Sequence, residues 1–379
     1  MVYITVKQSP VYKQMTLEEL LFGHDSAPTI ITPNTSNTRT YEKEFVSPAL
    51  SGKINVPGLI AKLGQFNAST DALRKRPRET LYHSFSIPKK SGGLRRIDAP
   101  LPELMNALRQ LKTIFEDDFG ALYHTSAFAY IKKRSTIDAV KRHQRNESKW
   151  FGKYDLSDFF GSTTLDFVMK MFSMIFPFSE VVKTYYGENE LRKALELAFL
   201  NGGLPQGTPV SPIITNIMMI PIDHKLSNGL KSYNNQKFVY TRYADDFLVS
   251  SKYSFRPEEI EKYIVNALNE FEAPFTIKSQ KTRYGSSAGR NWNLGVMLNK
   301  DNKITVGHQK KRQFQAMLSS YVMDKKNGVS WDLHDIQTME GYRNYYRMVE
   351  GEAIDHLVEH ISKKFGVDVV SMIRDDLKS

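Results

Sequence analysis

The sequence predicts an α+β protein built, in order, from a basic hairpin, a mixed α/β centre and a helical tail. Three observations predict it. FVYTRYADDFLVSS (238–251) is apolar at both ends and acidic in the middle, the pattern of a β-hairpin with Ala244-Asp245-Asp246 at its tip. WFGKYDLSDFF (150–160) begins as another strand, and amphipathic helical stretches separate the two. Residues 308–379 are patterned as helix throughout, with basic patches, and form a separate C-terminal subdomain.

The remaining elements follow along the chain. Residues 26–52 are rich in Ser, Thr, Pro and Asn and predict an irregular arm. Residues 56–82 are helical, with VPGLIAKLGQF as one segment. IPKKSGGLRRI (87–97) predicts a hairpin, because two short apolar runs flank the turn signal Ser91-Gly92-Gly93. A helix runs from Pro100 to Phe119 with Leu104, Leu108, Leu111 and Phe115 on one face. Ser135 caps a helix ending near His143. Further helices are expected over 163–176, 209–226 and 256–271, and strands near 275–278 and 293–298.

Composition narrows the function. The chain has 379 residues, enough for two or three packed subdomains, and carries a net charge of +11. Such an excess suits a protein that holds a polyanion, since each neutralised phosphate releases counterions. The absence of cysteine excludes disulfides, thiolate zinc sites and cysteine nucleophiles. No stretch reaches the roughly 20 apolar residues of a membrane span, and the N-terminus has no signal-peptide core. A cytoplasmic protein with no membrane partner is expected.

The chemistry is carried by carboxylates. Phosphoryl transfer to a growing strand uses two divalent ions about 3.5–4 Å apart. Magnesium prefers carboxylate, phosphate and water oxygens. A carboxylate at a strand end facing a tight hairpin tip meets that need. Asp155 ends a strand, and Asp245 and Asp246 sit at the predicted tip. Read alone, an Asp-Asp pair in a turn is ordinary turn chemistry, and an Asp after a strand is an ordinary helix cap.

DLSDFF, LPQGTPVSP, YADD, a Lys-Thr pair and a Leu-Gly pair follow one another in this order. In that array, from about Tyr82 to Met297, the sequence resembles reverse transcriptases, specifically the bacterial ones related to retrons, group II introns and phage-defence enzymes. The resemblance implies a right-hand polymerase fold: fingers, a palm with an RNA-recognition-motif-like antiparallel sheet and helices, and a helical thumb. It divides the chain into an N-terminal extension (1–55), a first part of the fingers (56–150), a palm with inserted fingers elements (151–300) and a thumb (301–379). It implies an RNA-directed DNA polymerase, with Mg2+ (Mn2+ as an alternative) bound by Asp155, Asp245, Asp246 and the Leu156 carbonyl. Asp158 would lie by the triphosphate. Phe160 would be the steric gate that favours dNTPs over rNTPs; adjacent Phe159 is counted with the dNTP-binding residues, although core packing is the more ordinary reading of it. Gln206 would pack on the incoming nucleotide, and Gly207 would let backbone come close. Tyr243 would support the primer end. Lys281 would protonate the pyrophosphate leaving group, and Leu294-Gly295 would form the primer grip. Arg95 would hold the triphosphate, with Lys89 and Lys90 near it. Basic residues of 127–143 would touch the template backbone.

Some residues depart from the family's patterns. The retron-type Asn-Ala-x-x-His signature is here Asp138-Ala139 with His143 one residue too far, and Asn293-Leu294-Gly295 stands where retrons carry Val-Thr-Gly. LPQG differs from the diversity-generating class, and no Cys-containing endonuclease motif follows the thumb. The expectation is a stand-alone enzyme copying a cognate noncoding RNA in antiphage defence, with a DNA product, dNTP substrates and oligomerisation as an option. Template-independent or protein-primed DNA synthesis and a non-catalytic RNA-binding scaffold are the alternatives.

Overall fold

The structure, a computed structural model, describes residues 55–89, 92–117, 123–287 and 295–378, with the backbone of three N-terminal strands. Those strands, β1 (Tyr3–Gln8), β2 (Val11–Thr16) and β3 (Lys43–Val46), form an antiparallel sheet in the order β2-β1-β3. The expected irregular arm is corrected at Lys43–Val46, whose backbone pairs with Tyr3–Val6. The rest of 26–52 lies outside the described residues.

Helix α1 (Val56–Ser69) starts where the Asn55 side chain accepts from the Gly58 amide at 3.0 Å. It buries Leu59, Leu63 and Phe66, spaced for one face. The basic hairpin is longer than its apolar runs predict. It spans β4 (Tyr82–Pro88) and β5 (Leu94–Pro100), paired antiparallel from Tyr82↔Pro100 to Pro88↔Leu94. Helix α2 (Pro102–Asp117) buries Leu104, Leu108, Leu111 and Phe115 completely, as expected. Ser135 caps α3 (Thr136–Arg145) in a reciprocal capping box with Asp138.

The central sheet has four strands in the order β7-β8-β6-β9, all antiparallel: β6 (Trp150–Asp155), β7 (Phe238–Tyr243), β8 (Asp246–Ser251) and β9 (Arg283–Ser286). Helices α4 (Leu165–Phe172), α5 (Tyr185–Glu196), α6 (Ser211–Met218), α7 (Ile220–Leu230) and α8 (Pro257–Glu270) surround it. One core joins α1 and α2 to these helices and to Tyr240, Phe247 and Val249 of the sheet. Phe115 of α2 meets Phe172 and Phe178 edge-on at 6.1 and 5.7 Å.

The helical run expected over 209–226 breaks at Met219, and Pro221 lies in the first turn of α7. Proline is tolerated there because the first amides of a helix have no internal partner. The run expected over 163–176 is helical only to Phe172. The strand expected near 275–278 is reduced to one bridge, Ile277 with Leu156. The sheet is extended instead by β9, whose Arg-Tyr-Gly-Ser has no apolar alternation to betray it. Of the strand expected near 293–298, the described residues 295–298 form strand only at β10 (Met297–Leu298), paired with β11 (Ile304–Thr305). The Leu294 assignment lies outside them, as does that of Lys90.

The C-terminal run is all helix, as expected: α9 (His308–Lys326), α10 (Leu333–Phe365) and α11 (Val369–Asp376). Its own core includes Phe314, Leu318, Met339, Tyr346, Ile354 and Ile373. A smaller cluster of Val140, Phe151, Leu248, Val296 and Leu298, with Tyr345 and Val349 against it, joins this layer to the sheet.

Candidate active site

Asp155 and Asp246 face each other across the β6–β8 ladder, and Tyr243 opposes Asp246 across β7–β8. The two-residue turn is therefore Ala244-Asp245, with Asp246 already in strand, a shift of one residue from the expected tip. Ala244 adopts a left-handed backbone, φ 57°. The turn is stitched to β6 by the Leu156 amide, which donates to the Asp245 carbonyl at 3.1 Å. On the other side the Lys278 amide donates to the Asp155 carbonyl at 2.8 Å, and the Ser157 amide to the Thr276 carbonyl at 2.7 Å. The residues that failed to form a full strand thus bring Lys278 to Asp155.

The electrostatics follow from burial. Asp155 is only 8% exposed. Its Oδ1 lies 3.3 Å from Lys278 Nζ and 3.7 Å from Lys281 Nζ, yet accepts no hydrogen bond. The distances give ionic attraction; the angles do not give a bond. Burial raises the Asp245 carboxyl above the usual range and the charge of Asp155 adds to it, against its own backbone amide and Lys278. Burial raises Asp246 too, opposed by Lys153, whose Nζ lies 2.9 Å from Asp246 Oδ2.

A cavity of about 1320 Å³ opens between the basic hairpin and this turn. Its walls include Lys89, Arg95, Asp155, Asp158, Phe159, Phe160, Gln206, Gly207, Asp245 and Lys281, all of them singled out in the sequence. Tyr243, Asp246 and Gly295 are not on its walls. Phe159 is 2% exposed and packs on Phe275 at 5.1 Å, whereas Phe160 is half-buried and its carbonyl accepts from the Leu204 amide. Gln206 offers its carbonyl to the Asp98 amide at 2.8 Å, which ties the LPQG loop to the hairpin. Gly207 has φ 121°, and a Cβ there would lie 3.0 Å from the Asp98 carbonyl and from Ile97. The backbone that this glycine admits is the hairpin's own. Arg96 is held by Asp98 at 2.8 Å, while Arg95 has no acidic partner among the described residues. Gly295, φ 77°, accepts from Lys310 at 2.7 Å.

Sequence reasoning missed four residues. Lys153 precedes Asp155 by two positions on one strand, so alternation puts both on the same face, and that signal was readable. Lys278 was hidden by the expected strand. Tyr130 also lines the cavity, and nothing in its neighbourhood distinguished it. Arg242 is wholly buried: it binds both carboxylate oxygens of Asp223 and donates to Asn216 Oδ1 and the Ala244 carbonyl. A strand arginine beside YADD reads as surface until its partner on α7 is seen.

Hard cations suit this donor set. Lys278 Nζ stands between Asp155 Oδ1 and the Leu156 carbonyl, 3.3 and 3.4 Å away. An ammonium is thus already drawn to two oxygens that a divalent ion would take. Among the described residues, no three His, Asp or Glu side chains converge as a finished cage. A nucleotide's phosphate oxygens would have to complete it.

A buried carboxylate at a strand end, a second on the adjoining turn and a basic hairpin meet on the walls of one cavity. The family model described as reverse transcriptase (RNA-dependent DNA polymerase) matches residues 87–315, more than half of the chain. The chain belongs to this family, and is an RNA-directed DNA polymerase of α+β polymerase fold related to the bacterial retron enzymes. It is 26% identical over 312 residues to the retron Ec83 reverse transcriptase of Escherichia coli, covering 80% of this chain and 93% of that one. To the retron Ec73 reverse transcriptase of the same organism it is 26% identical over 287 residues, covering 74% and 86%. Apo telomerase from Candida tropicalis aligns with a TM-score of 0.46 at 13% identity, over 78% of this chain and 62% of that one. No described helix is long and apolar enough to cross a membrane.

Proposed function

We propose that this cavity is the polymerisation site and that the enzyme copies a cognate noncoding RNA into DNA in antiphage defence. The observation that carries the site is the meeting of Asp155, Asp245, Lys278, Lys281 and Arg95 on the walls of one cavity. Asp155, Asp245 and the Leu156 carbonyl would hold two magnesium ions, with Asp246 reinforcing the charge. Bound there, such ions acidify the attacking hydroxyl and neutralise the triphosphate.

The chain's own groups supply the rest. Arg95, which has no acidic partner among the described residues, grips the triphosphate by a charge-assisted fork, and Lys89 adds charge. Phe160 fills the space beneath C2′. The primer 3′-hydroxyl gives its proton to water and its oxygen forms a bond to the α-phosphorus while the bond to the pyrophosphate oxygen breaks. Lys281 donates a proton to that leaving oxygen. Lys278, nearer to Asp155, moves off its oxygens as the site is loaded. The motifs support polymerisation alone; the choice of template and role rests on the resemblance to phage-defence enzymes.

The test is to purify the protein with its bound nucleic acid, sequence that material, then add magnesium and labelled dNTPs. One bound RNA species and a complementary DNA product are expected, with no product from Asp245→Ala. Product with no matching template, or joined covalently to protein, overturns the templated reading. Phage protection that survives Asp245→Ala overturns the requirement for synthesis in defence.

A further inference from the structure

Among the described residues, one exposed aromatic ring on the cavity wall, Tyr130, is not used by the reaction as described. Tyr130 is 53% exposed, although Ser126–Ala129 before it and Ile131 after it are buried. Its backbone is left-handed, φ 61°, a conformation rare for a bulky residue. Neither fact suits a core residue. A ring that served packing would be buried, and a ring on an idle surface would not need a strained backbone held in place.

The segment is held from several sides. The Phe128 amide donates to the Arg242 carbonyl at 2.9 Å, and the Arg242 amide to the Ser126 carbonyl at 2.7 Å. Asn216 Nδ2 donates to the Ala129 carbonyl at 2.8 Å. Arg134 Nη1 donates to the carbonyls of His124 and Ala127 at 2.6 and 2.7 Å. Arg242 in turn donates to the Ala244 carbonyl in the turn that carries Asp245. One buried guanidinium and its strand therefore position Tyr130 relative to Asp245. Tyr130 shares the walls of this cavity with Asp245 and Arg95.

We propose that Tyr130 is a platform for the template-strand nucleotide of the base pair being formed. This rests on the reading of the cavity as the polymerisation site. There, Arg95 and Phe160 are taken by the incoming nucleotide, and Asp155 and Asp245 by the reacting groups. The strand across the pair still needs a surface, and a rigid exposed ring offers one that tolerates any base.

The test compares the wild type with Tyr130→Ala and Tyr130→Phe on an RNA template carrying 4-thiouridine at the templating position. Expected are a photo-crosslink to the wild type that Tyr130→Ala loses, and a KM for dNTP on that template raised by about 5- to 140-fold in Tyr130→Ala, the range of one lost aromatic–base stack. Tyr130→Phe should restore both, and melting temperature should stay constant across the three. An unchanged KM and crosslink in Tyr130→Ala overturn the proposal, as does a crosslink to Tyr130 obtained only from a labelled primer. Asp245→Ala keeps the two readings apart: if it still polymerises, the site assignment falls, whereas a Tyr130→Ala with wild-type KM and crosslink beside an inactive Asp245→Ala removes Tyr130 alone.

Discussion

At the scale of single residues, the site is a balance between buried carboxylates and the lysines drawn to them. Asp245 has its ionised form disfavoured by burial and by Asp155. Removing that charge should therefore cost the fold nothing. Asp245→Asn is expected to lower kcat by about 10²- to 10³-fold, since it deletes a group acting on the reacting atoms, while the melting temperature stays level or rises. Primer extension and calorimetry on one preparation check both. Phe160→Ala should raise rNTP incorporation, read as the ratio of kcat/KM for rNTP and dNTP; an unchanged ratio removes the gate assignment. Asp155, Asp245, Phe160, Gln206 and Arg95 were legible as a candidate set from ordered motifs, and the structure brings all of them to one cavity. Lys278 was not, because its place depends on a long-range stitch to β6 rather than on local pattern.

At the scale of elements, the turn between β7 and β8 owes its shape to groups beneath it. Arg242 and Asp223 are both fully buried, and Tyr240 also donates to Asp223 at 2.8 Å. Deleting one partner strands the other charge away from water. Arg242→Leu should cost about 3–5 kcal/mol in urea unfolding; a loss under about 1 kcal/mol would show the pair to be idle. Gly207→Ala meets both a positive φ and backbone at 3.0 Å, so it should loosen the hairpin and raise the KM for dNTP with little change in affinity for template–primer. Sequence patterning was sound for α2, α3, β6 and the β7–β8 hairpin, where amphipathic period, capping box and alternation agree. It failed at β9 and at 275–278, where tertiary pairing decides which short segment joins the sheet.

At the scale of the whole molecule, the polymerase core and the C-terminal helices meet at a small apolar cluster, and polar groups lock the sheet from within. His143 is fully buried, with Nδ1 2.6 Å from Ser250 Oγ and Nε2 2.8 Å from Thr241 Oγ1. Burial pushes its pKa down to about 3, and likewise that of His124. The folded value lies below the unfolded value of about 6.5, so the unfolded chain binds more protons between them. Stability from these residues is complete above about pH 6.5 and is lost as pH falls toward 3. Unfolding free energy should drop by up to about 1.4 kcal/mol per pH unit for each such histidine, and His143→Gln should flatten the slope between pH 6.5 and 5. The spacing that sets His143 apart from the retron signature therefore still yields a structural role: it pins α3 to β7 and β8.

The central claim is that Asp155 and Asp245 make this cavity the place of RNA-templated DNA synthesis. The most direct measurement is extension of a labelled primer on a defined RNA template with dNTPs and magnesium, comparing the wild type with Asp245→Asn. The prediction is complementary DNA from the wild type and none from the variant, with both binding the template–primer equally well. Extension by Asp245→Asn at the wild-type rate would contradict it.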